Sequence, residues 1–288
     1  MKYGYYPGCS LHSTGAEYDV SFKAVCEKLD IQLEEVPNWL CCGTSPAHST
    51  SHLLSLALPI KNLALAEGAG LKDMVVPCAA CFSRFKIALH ETEDNEKLSE
   101  EIKEIISGPF KRKVNVLHPL EIFAQMDPKA LKEKATQDLS HLKVVCYYGC
   151  LLTRPAKAMQ FDICEYPMTM DKVLDAMKIP VLDWSYKTDC CGGSFALSET
   201  DAVLTLTHKI LENAKAVGAN AIAVACPLCH ANLDTRQTEI EAKYETQYGI
   251  PILYFTQLMG LALGVESQQL GLNKHLVSTE AVLNKQDT

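Results

Sequence analysis

The sequence predicts an α/β fold built from two similar tandem domains, each a small parallel sheet flanked by helices, the two related by a pseudo-twofold. Three observations predict it. One cysteine pattern is written twice, first as Cys9, Cys41-Cys42-Gly43 and Cys78-Ala79-Ala80-Cys81, then as Cys150, Cys190-Cys191-Gly192 and Cys226-Pro227-Leu228-Cys229. Its gaps recur: 31 and 39 residues lie between the lone cysteine and the pair, and 35 and 34 between the pair and the CxxC. Short apolar runs also alternate with helical patterns about four times in each half, the order that favours parallel strands joined by right-handed crossovers.

In the first half, Tyr3 to Tyr6 is an apolar run that ends at Cys9. A helix follows over about Ala16 to Leu29, with Val20, Phe22, Val25, Cys26 and Leu29 on one face. Ile31 to Val36 alternates like a strand and leads to the cysteine pair. Leu53 to Glu67 is helical and stops near Gly68 and Gly70. Met74 to Pro77 is a short strand running into Cys78, with a helix after the CxxC; Val114 to Leu117 is a strand and Leu120 to Met126 a helix. The second half repeats the order: strands at Leu142 to Tyr148, Val181 to Trp184, Ala221 to Ala225 and Ile252 to Phe255, and helices at Met168 to Met177, Asp201 to Val217, Ala231 to Tyr244 and Thr256 to Leu263. Val114 to Met126 matches Pro251 to Leu263, so the repeat extends beyond the cysteines. The expected domains are residues 1–128 and 142–265, joined by a polar, helix-like linker over about 129–140. A C-terminal tail over 266–288 reads either as a partner-docking arm or as a loosely ordered terminus.

Bulk properties narrow the function. The chain has 288 residues, 48% of them hydrophobic, and needs no disulfide staples to build a core. A formal charge of −8 with no Lys/Arg-rich stripe argues against nucleic acid as a partner. No signal peptide and no apolar run of membrane-spanning length is found, so a cytoplasmic, reducing setting is expected. There, grouped cysteines are metal ligands or redox centres more often than disulfides. No G-x-G-x-x-G fingerprint and no G-x-x-x-x-G-K-[ST] loop is present, so electrons are expected to arrive from another protein.

Each lone cysteine, each pair and each CxxC follows a strand. Parallel strands set their carboxyl ends on one sheet edge, where open α/β sheets bind ligands, so residues far apart in sequence converge there. The first cysteine of each CxxC also sits near a helix start, and Pro227 suits a first helical turn; the positive end of a helix favours the thiolate. Five thiols per half is one more than a tetrahedral zinc site or an ordinary four-cysteine cluster takes. Adjacent cysteines in extended chain face opposite ways unless the backbone bends, which the glycine after each pair allows. Such a pair suits a larger, multi-iron cluster better than one small ion, with zinc sites or buried thiols as the competing readings.

The segments PGCS, CCG, CAAC, CYYGC, CCGG and CPLC resemble the CCG domain, and two such domains in one short chain resemble the B subunit of heterodisulfide reductase, over roughly residues 1–264. The resemblance implies one non-cubane [4Fe-4S] cluster on Cys9, Cys41, Cys42, Cys78 and Cys81, and a second on Cys150, Cys190, Cys191, Cys226 and Cys229. It implies a small-molecule disulfide substrate between the clusters, cleaved by one-electron reductions. It also implies two partners in the same complex, an iron-sulfur subunit carrying cubane clusters and a flavin subunit behind it. CCGT in the first copy, where the family has CCGG, and the longer gap in the second are departures that bear on the substrate pocket. CCG domains also serve in hydroxyacid-oxidising enzymes and in a thiol-dependent fumarate reductase, so the second functional class is an iron-sulfur electron-transfer subunit of another oxidoreductase, a hydroxyacid- or sulfur-oxidising complex.

Among other residues, His48 and His230 are candidate proton donors, because histidine titrates near neutral pH; His12 and His52 are weaker ones. Arg84 and Lys86 are read as a solvated helix face with an alternative role in attracting an anionic substrate. Cys26, Cys146 and Cys164 are read as non-ligands. Tyr5, Tyr6, Tyr147 and Tyr148 are read as core and pocket lining.

Overall fold

The computed structural model describes residues 1–283. It contains two four-stranded sheets in which every neighbouring pair is parallel. The first holds β1 (Lys2–Tyr5), β2 (Gln32–Glu35), β3 (Asp73–Val75) and β4 (Asn115–Leu117) in the order β2-β1-β3-β4. The second holds β5 (Val144–Tyr147), β6 (Val181–Leu182), β7 (Ala221–Val224) and β8 (Ile252–Tyr254) in the order β6-β5-β7-β8. That order reverses direction between β1 and β3, and between β5 and β7. A crevice opens at such a reversal, beyond the carboxyl ends of the strands. The lone cysteine follows one strand at each reversal and the CxxC follows the other.

The expected elements form, with instructive differences. The Leu53 to Glu67 helix runs over His52–Gly68, started by Ser51, whose hydroxyl accepts the Leu54 N–H at 3.3 Å. The helix expected over Ala231 to Tyr244 is two, Pro227–Asp234 and Gln237–Tyr244. Between them the buried Gln237 amide donates to the Leu233 and Ile250 carbonyls. Cys78 and Cys226 are the N-caps of the helices that carry the CxxC motifs. Besides single turns at Gly8–Leu11, Ala156–Met159 and Glu280–Leu283, two longer helices arise where none is expected. One is Thr44–Thr50, directly after the first CCG; the other is Glu96–Ile106, started by the Asn95 side chain.

The repeat is visible in the capping. His118 and Tyr254 are N-caps after β4 and β8, and in both helices the side chain three residues on reaches back to accept the N-cap N–H, Glu121 from His118 and Gln257 from Tyr254. This equivalence sets Val114 opposite Ile250, one residue away from the match of Val114 with Pro251.

The halves pack reciprocally. Helix Ala16–Lys28 of the first lies on helix Phe255–Ala262 of the second, and helix Thr169–Ala176 of the second lies on helix Pro119–Ala124 of the first. Exchanged contacts of this kind are what a twofold relation produces. At the first contact Ser21 and Thr256, both fully buried, share a 2.7 Å hydroxyl–hydroxyl bond. Tyr18 stacks on Tyr254 with ring centroids 4.3 Å apart, an arrangement worth roughly 1 kcal/mol beyond its buried area. One hydrophobic core runs through both halves.

Of the tail, residues 266–283 are described and 284–288 lie outside the described residues. The described part folds back. Its 3-10 turn Ser267–Leu270 lies against helix Ala16–Lys28, and Leu270, Leu272 and Val282 are buried. Gly271 has φ +68, and a Cβ there would sit 2.8 Å from the Glu17 Cβ, so the tail approaches the first half as closely as a glycine permits. Leu270→Ala removes a fully buried side chain from this clasp and is expected to lower unfolding stability by about 2–5 kcal/mol, measured by urea denaturation.

Candidate metal centre

The structure brings the five repeated thiols of each half together at the carboxyl edge of its sheet. In the first half the Cys9 and Cys41 sulfurs are 3.8 Å apart and those of Cys42 and Cys81 3.1 Å. In the second, Cys150 and Cys190 are 3.9 Å apart and Cys191 and Cys229 3.6 Å. The sets are not separate. Cys78 and Cys226, the two N-cap thiols, adjoin across the seam and shift each other's ionisation in opposite directions. Among the described residues every cysteine is a free thiol. Cys9, Cys41 and Cys190 are exposed, Cys150 is half-buried, and the other six of the ten are buried.

Local backbone geometry makes the crowding possible. Gly8 and Gly149 precede the lone cysteines at φ +68 and +67. A Cβ would lie 3.1 Å from the Cys81 sulfur at Gly8 and 2.8 Å from the Cys229 sulfur at Gly149. Gly43 and Gly192, after the pairs, also lie at positive φ and turn the chain so that the pair can bend.

A tyrosine holds each pair from below. Tyr6 donates its hydroxyl to the carbonyl of Leu40, before the first pair, at 2.7 Å. Tyr147 donates to the carbonyl of Asp189, before the second, at 2.6 Å. Burial, then the neighbouring thiols of their own sets, push both phenols far above their usual range, so they stay protonated donors.

Further lacing differs between halves. Asn62, fully buried, accepts the Leu40 N–H and donates to the Leu40 carbonyl. His118 bonds the carbonyl of Pro77, just before Cys78, at 2.9 Å. In the second half the Asn232 amide donates to the carbonyls of Cys191 and Gly193. The Lys187 carbonyl takes the N–H groups of Tyr148 and Gly149. The Lys187 ammonium is fully buried on Asp171 at 2.6 Å, and Asp171 in turn accepts the Tyr148 hydroxyl at 2.6 Å. None of these supports stands out in the sequence, because a lone Asn, Lys or His has no local signature of burial.

Crowding shifts the thiols unequally. S–H donation from Cys41, and then from Cys81, holds Cys42 down to about 3; Cys150 holds Cys190 down to about 6. Cys229, then Cys78, lower Cys226 well below the usual thiol range. The donors Cys41, Cys81 and Cys150 are raised in exchange. Cys42, Cys190, Cys191 and Cys226 are thus the thiols favoured as thiolates, the form that binds metal.

Two cavities open on these thiols. One, about 420 Å³, is lined by all five first-half cysteines and by apolar groups including Ala47, Leu54 and Leu58. The other, about 500 Å³, lies between the halves, with Cys150 and Cys190 on one side and Thr44, Ser45, His48 and Arg84 on the other. They share Thr44, Ala80 and Leu228. The first has room for a multi-iron cluster, and its thiol-only donor set fits iron-sulfur chemistry.

The remaining sequence candidates separate. His48 and Arg84 line the inter-half cavity; Lys86 does not, and its ammonium lies over the Phe82 ring at 5.9 Å. His230 lines neither cavity. It is buried on the far side of the CxxC helix, stacked on Tyr254 and bonded to His275 at 2.9 Å, and burial pushes it down to about 3. This placement removes it from the proton-donor candidates. His12 packs edge-on to Trp39, and His52 pairs with Glu91 at 2.7 Å. Cys26 and Cys146 are buried apart from both sets, and burial raises both thiols; Cys164 lies beside Arg154. Tyr5 and Tyr148 are core residues bonded to Asp19 and Asp171. Among the described residues, no helix is long and apolar enough to cross a membrane.

Residues 3–86 and 144–234 each match the cysteine-rich CCG domain. The chain is 29% identical to the 8-methylmenaquinol:fumarate reductase membrane anchor subunit of Wolinella succinogenes, over 96% of this chain and 97% of that protein. It is 28% identical to the B subunit of the ferredoxin/F(420)H(2)-dependent CoB-CoM heterodisulfide reductase of Methanosarcina acetivorans, over 99% of this chain and 96% of that one. A protein of Archaeoglobus profundus named as heterodisulfide reductase B-subunit-like is 24% identical over 94% of this chain and 93% of its own length. Among solved structures, a hypothetical protein from Helicobacter pylori superposes with a TM-score of 0.78 at 13% identity over 96% of this chain, which spans about half (52%) of that protein. That likeness speaks to the fold.

His118 is fully buried, and desolvation lowers its pKa to about 4. The unfolded chain takes up this proton below about pH 6.5 and the folded chain does not. The stability it contributes is full above 6.5 and is lost as pH falls towards 4, by roughly 3 kcal/mol. His118→Gln is expected to flatten the pH dependence of urea unfolding in that window by up to one proton relative to the parent chain.

Proposed function

The chain belongs to the cysteine-rich CCG domain family, with two copies in tandem, and on that footing we propose that it is the catalytic subunit of a heterodisulfide-reductase-like complex. It reduces a low-molecular-weight thiol disulfide, the coenzyme M–coenzyme B heterodisulfide or an analogue, by one-electron steps at two non-cubane [4Fe-4S] clusters. The observation that carries the reading is the meeting of ten thiols at one seam, five from each half, with Cys78 facing Cys226. Relatives named after the B subunit of such a reductase, similar over nearly the whole chain, support it.

In this reading residues 1–128 and 142–265 are the two domains. Cys9, Cys41, Cys42, Cys78 and Cys81 hold one cluster, and Cys150, Cys190, Cys191, Cys226 and Cys229 hold the other. When bound, the clusters supply the two single electrons that cleaving a disulfide requires. The chain's own residues set the rest. Tyr6 and Tyr147 fix the paired cysteines, Gly8 and Gly149 let the CxxC thiols close in, and the inter-half cavity admits the substrate beside Cys150 and Cys190. His48 lines that cavity and is the candidate to protonate a departing thiolate. Separate iron-sulfur and flavin subunits deliver the electrons, and the complex works in the cytoplasm.

A second reading has its own support. The relative named as the anchor subunit of an 8-methylmenaquinol:fumarate reductase is 29% identical over 96% of the chain. It favours an electron-transfer subunit of another oxidoreductase. Turnover of anaerobically purified chain with a reduced dye and a panel of small disulfides separates the two. Disulfide-dependent oxidation of the dye is expected, and Cys78→Ser or Cys226→Ser should remove it together with a large share of about eight irons per chain. Full iron with no disulfide turnover would contradict the catalytic reading and favour the relay.

A further inference from the structure

The two cavities differ sharply in chemistry although they adjoin. The one enclosed by the first thiol set has no Asp, Glu, Lys, Arg or His in its lining. The inter-half cavity has a guanidinium, Arg84, and an imidazole, His48, and no carboxylate, in a chain whose formal charge is −8. Its wall also carries the hydroxyls of Thr44, Ser45, Ser194 and Ser198.

Arg84 stands out among the charged groups. It projects from helix Ala79–Glu91, one turn beyond Cys81, and is half-buried. Elsewhere in the molecule, part-buried guanidinium groups are satisfied. Arg112 donates to the Leu89 carbonyl and the Thr92 hydroxyl, Arg154 to Glu165 and Thr188, and Arg236 to Glu239 and the Ala196 carbonyl. For Arg84 no hydrogen bond or ion pair within the protein is found among the described residues. A guanidinium withdrawn from bulk water without a carboxylate keeps five donors free, in a planar fork suited to a carboxylate, phosphate or sulfonate. Across the same cavity stand the sulfurs of Cys150 and Cys190.

We propose that the inter-half cavity is an anion-selective subsite in which Arg84 is the specificity determinant, and that it takes a small thiol or disulfide whose sulfur lies towards Cys150 and Cys190 and whose anionic end lies on Arg84. The thiol part rests on the disulfide-reducing reading; the anionic part rests on the cavity alone. Arg84 orients the ligand and takes no part in electron transfer. Its attraction is only partly screened by salt, because the group is withdrawn from bulk solvent.

Isothermal titration calorimetry on the iron-loaded full chain, under anaerobic conditions, tests this with a matched pair, 3-mercaptopropionate and the neutral 3-mercaptopropanol. The parent chain is expected to bind the anionic thiol about tenfold more tightly or better, the scale of one charge-assisted contact. Arg84→Gln should erase that preference while leaving the affinity for 3-mercaptopropanol within about twofold, and Arg84→Lys should keep part of it. Iron content equal to the parent's guards against a folding defect, and having no partner to lose, Arg84 is a safe position to change. Equal binding of the two thiols by the parent, or a preference that survives Arg84→Gln, overturns the proposal. A parent chain that prefers the anion through Arg84 yet reduces neither 3,3′-dithiodipropionate nor any other disulfide upholds the subsite and counts against the disulfide-reducing reading instead.

Discussion

Ten sulfurs are held within reach of one another without forming a disulfide, and the seam is organised around that crowding. Thiols this close repel once ionised, so the structure has to oppose their spreading. It does so with backbone. The thiols stand at the carboxyl edges of the parallel sheets, and three of the segments that carry them are tied by bonds from buried side chains to a carbonyl: Tyr6 and Asn62 on Leu40, His118 on Pro77, Tyr147 on Asp189. Glycines stand where a Cβ would meet a sulfur. The reciprocal packing of the halves then carries Cys78 against Cys226, and two sites become neighbours.

The repeat supplies two sets of thiols on one scaffold, and divergence makes them unequal. His118 and Tyr254 occupy the same capping position, yet His118 braces the loop before Cys78 whereas Tyr254 stacks between Tyr18 and His230. Thr44–Thr50 is an α-helix after the first CCG, while Gly193–Ala196 after the second is a 3-10 turn. These unequal elements face each other across the inter-half cavity, to which the helix gives Ser45 and His48 and the turn gives Ser194 and Phe195. A matched pair of thiol sets thus adjoins an asymmetric chamber, whose wall takes Cys150 and Cys190 from the second set and helix side chains from the first half.

Much of this is legible from spacing. Periodicity locates the eight strands to within a few residues, and the rule that ligands gather at the carboxyl edge brings the ten thiols together. What escapes depends on long-range burial. Nothing local in the sequence marks Lys187 for burial on Asp171. His230 reads as available because it neighbours Cys229, but one step along a helix turns a side chain about 100° away. The tail reads as a docking arm or a loose terminus, yet the few apolar residues Leu270, Leu272 and Val282 are buried in its described part, with the turn at Leu270 against helix Ala16–Lys28 and the Val282 carbonyl bonded by His141. Arg84 reads as solvated because its helix carries other charges. Only the convergence of the two halves shows that it faces the second set of thiols.

The central claim is that both thiol sets hold iron-sulfur clusters that meet a disulfide. Electron paramagnetic resonance of the anaerobically purified chain before and after adding a disulfide, with iron, sulfide and zinc measured on the same sample, tests it most directly. The account predicts about eight irons per chain and a new paramagnetic signal when the disulfide is added. Zinc in place of iron, or a full iron complement whose spectrum no disulfide changes, would contradict it.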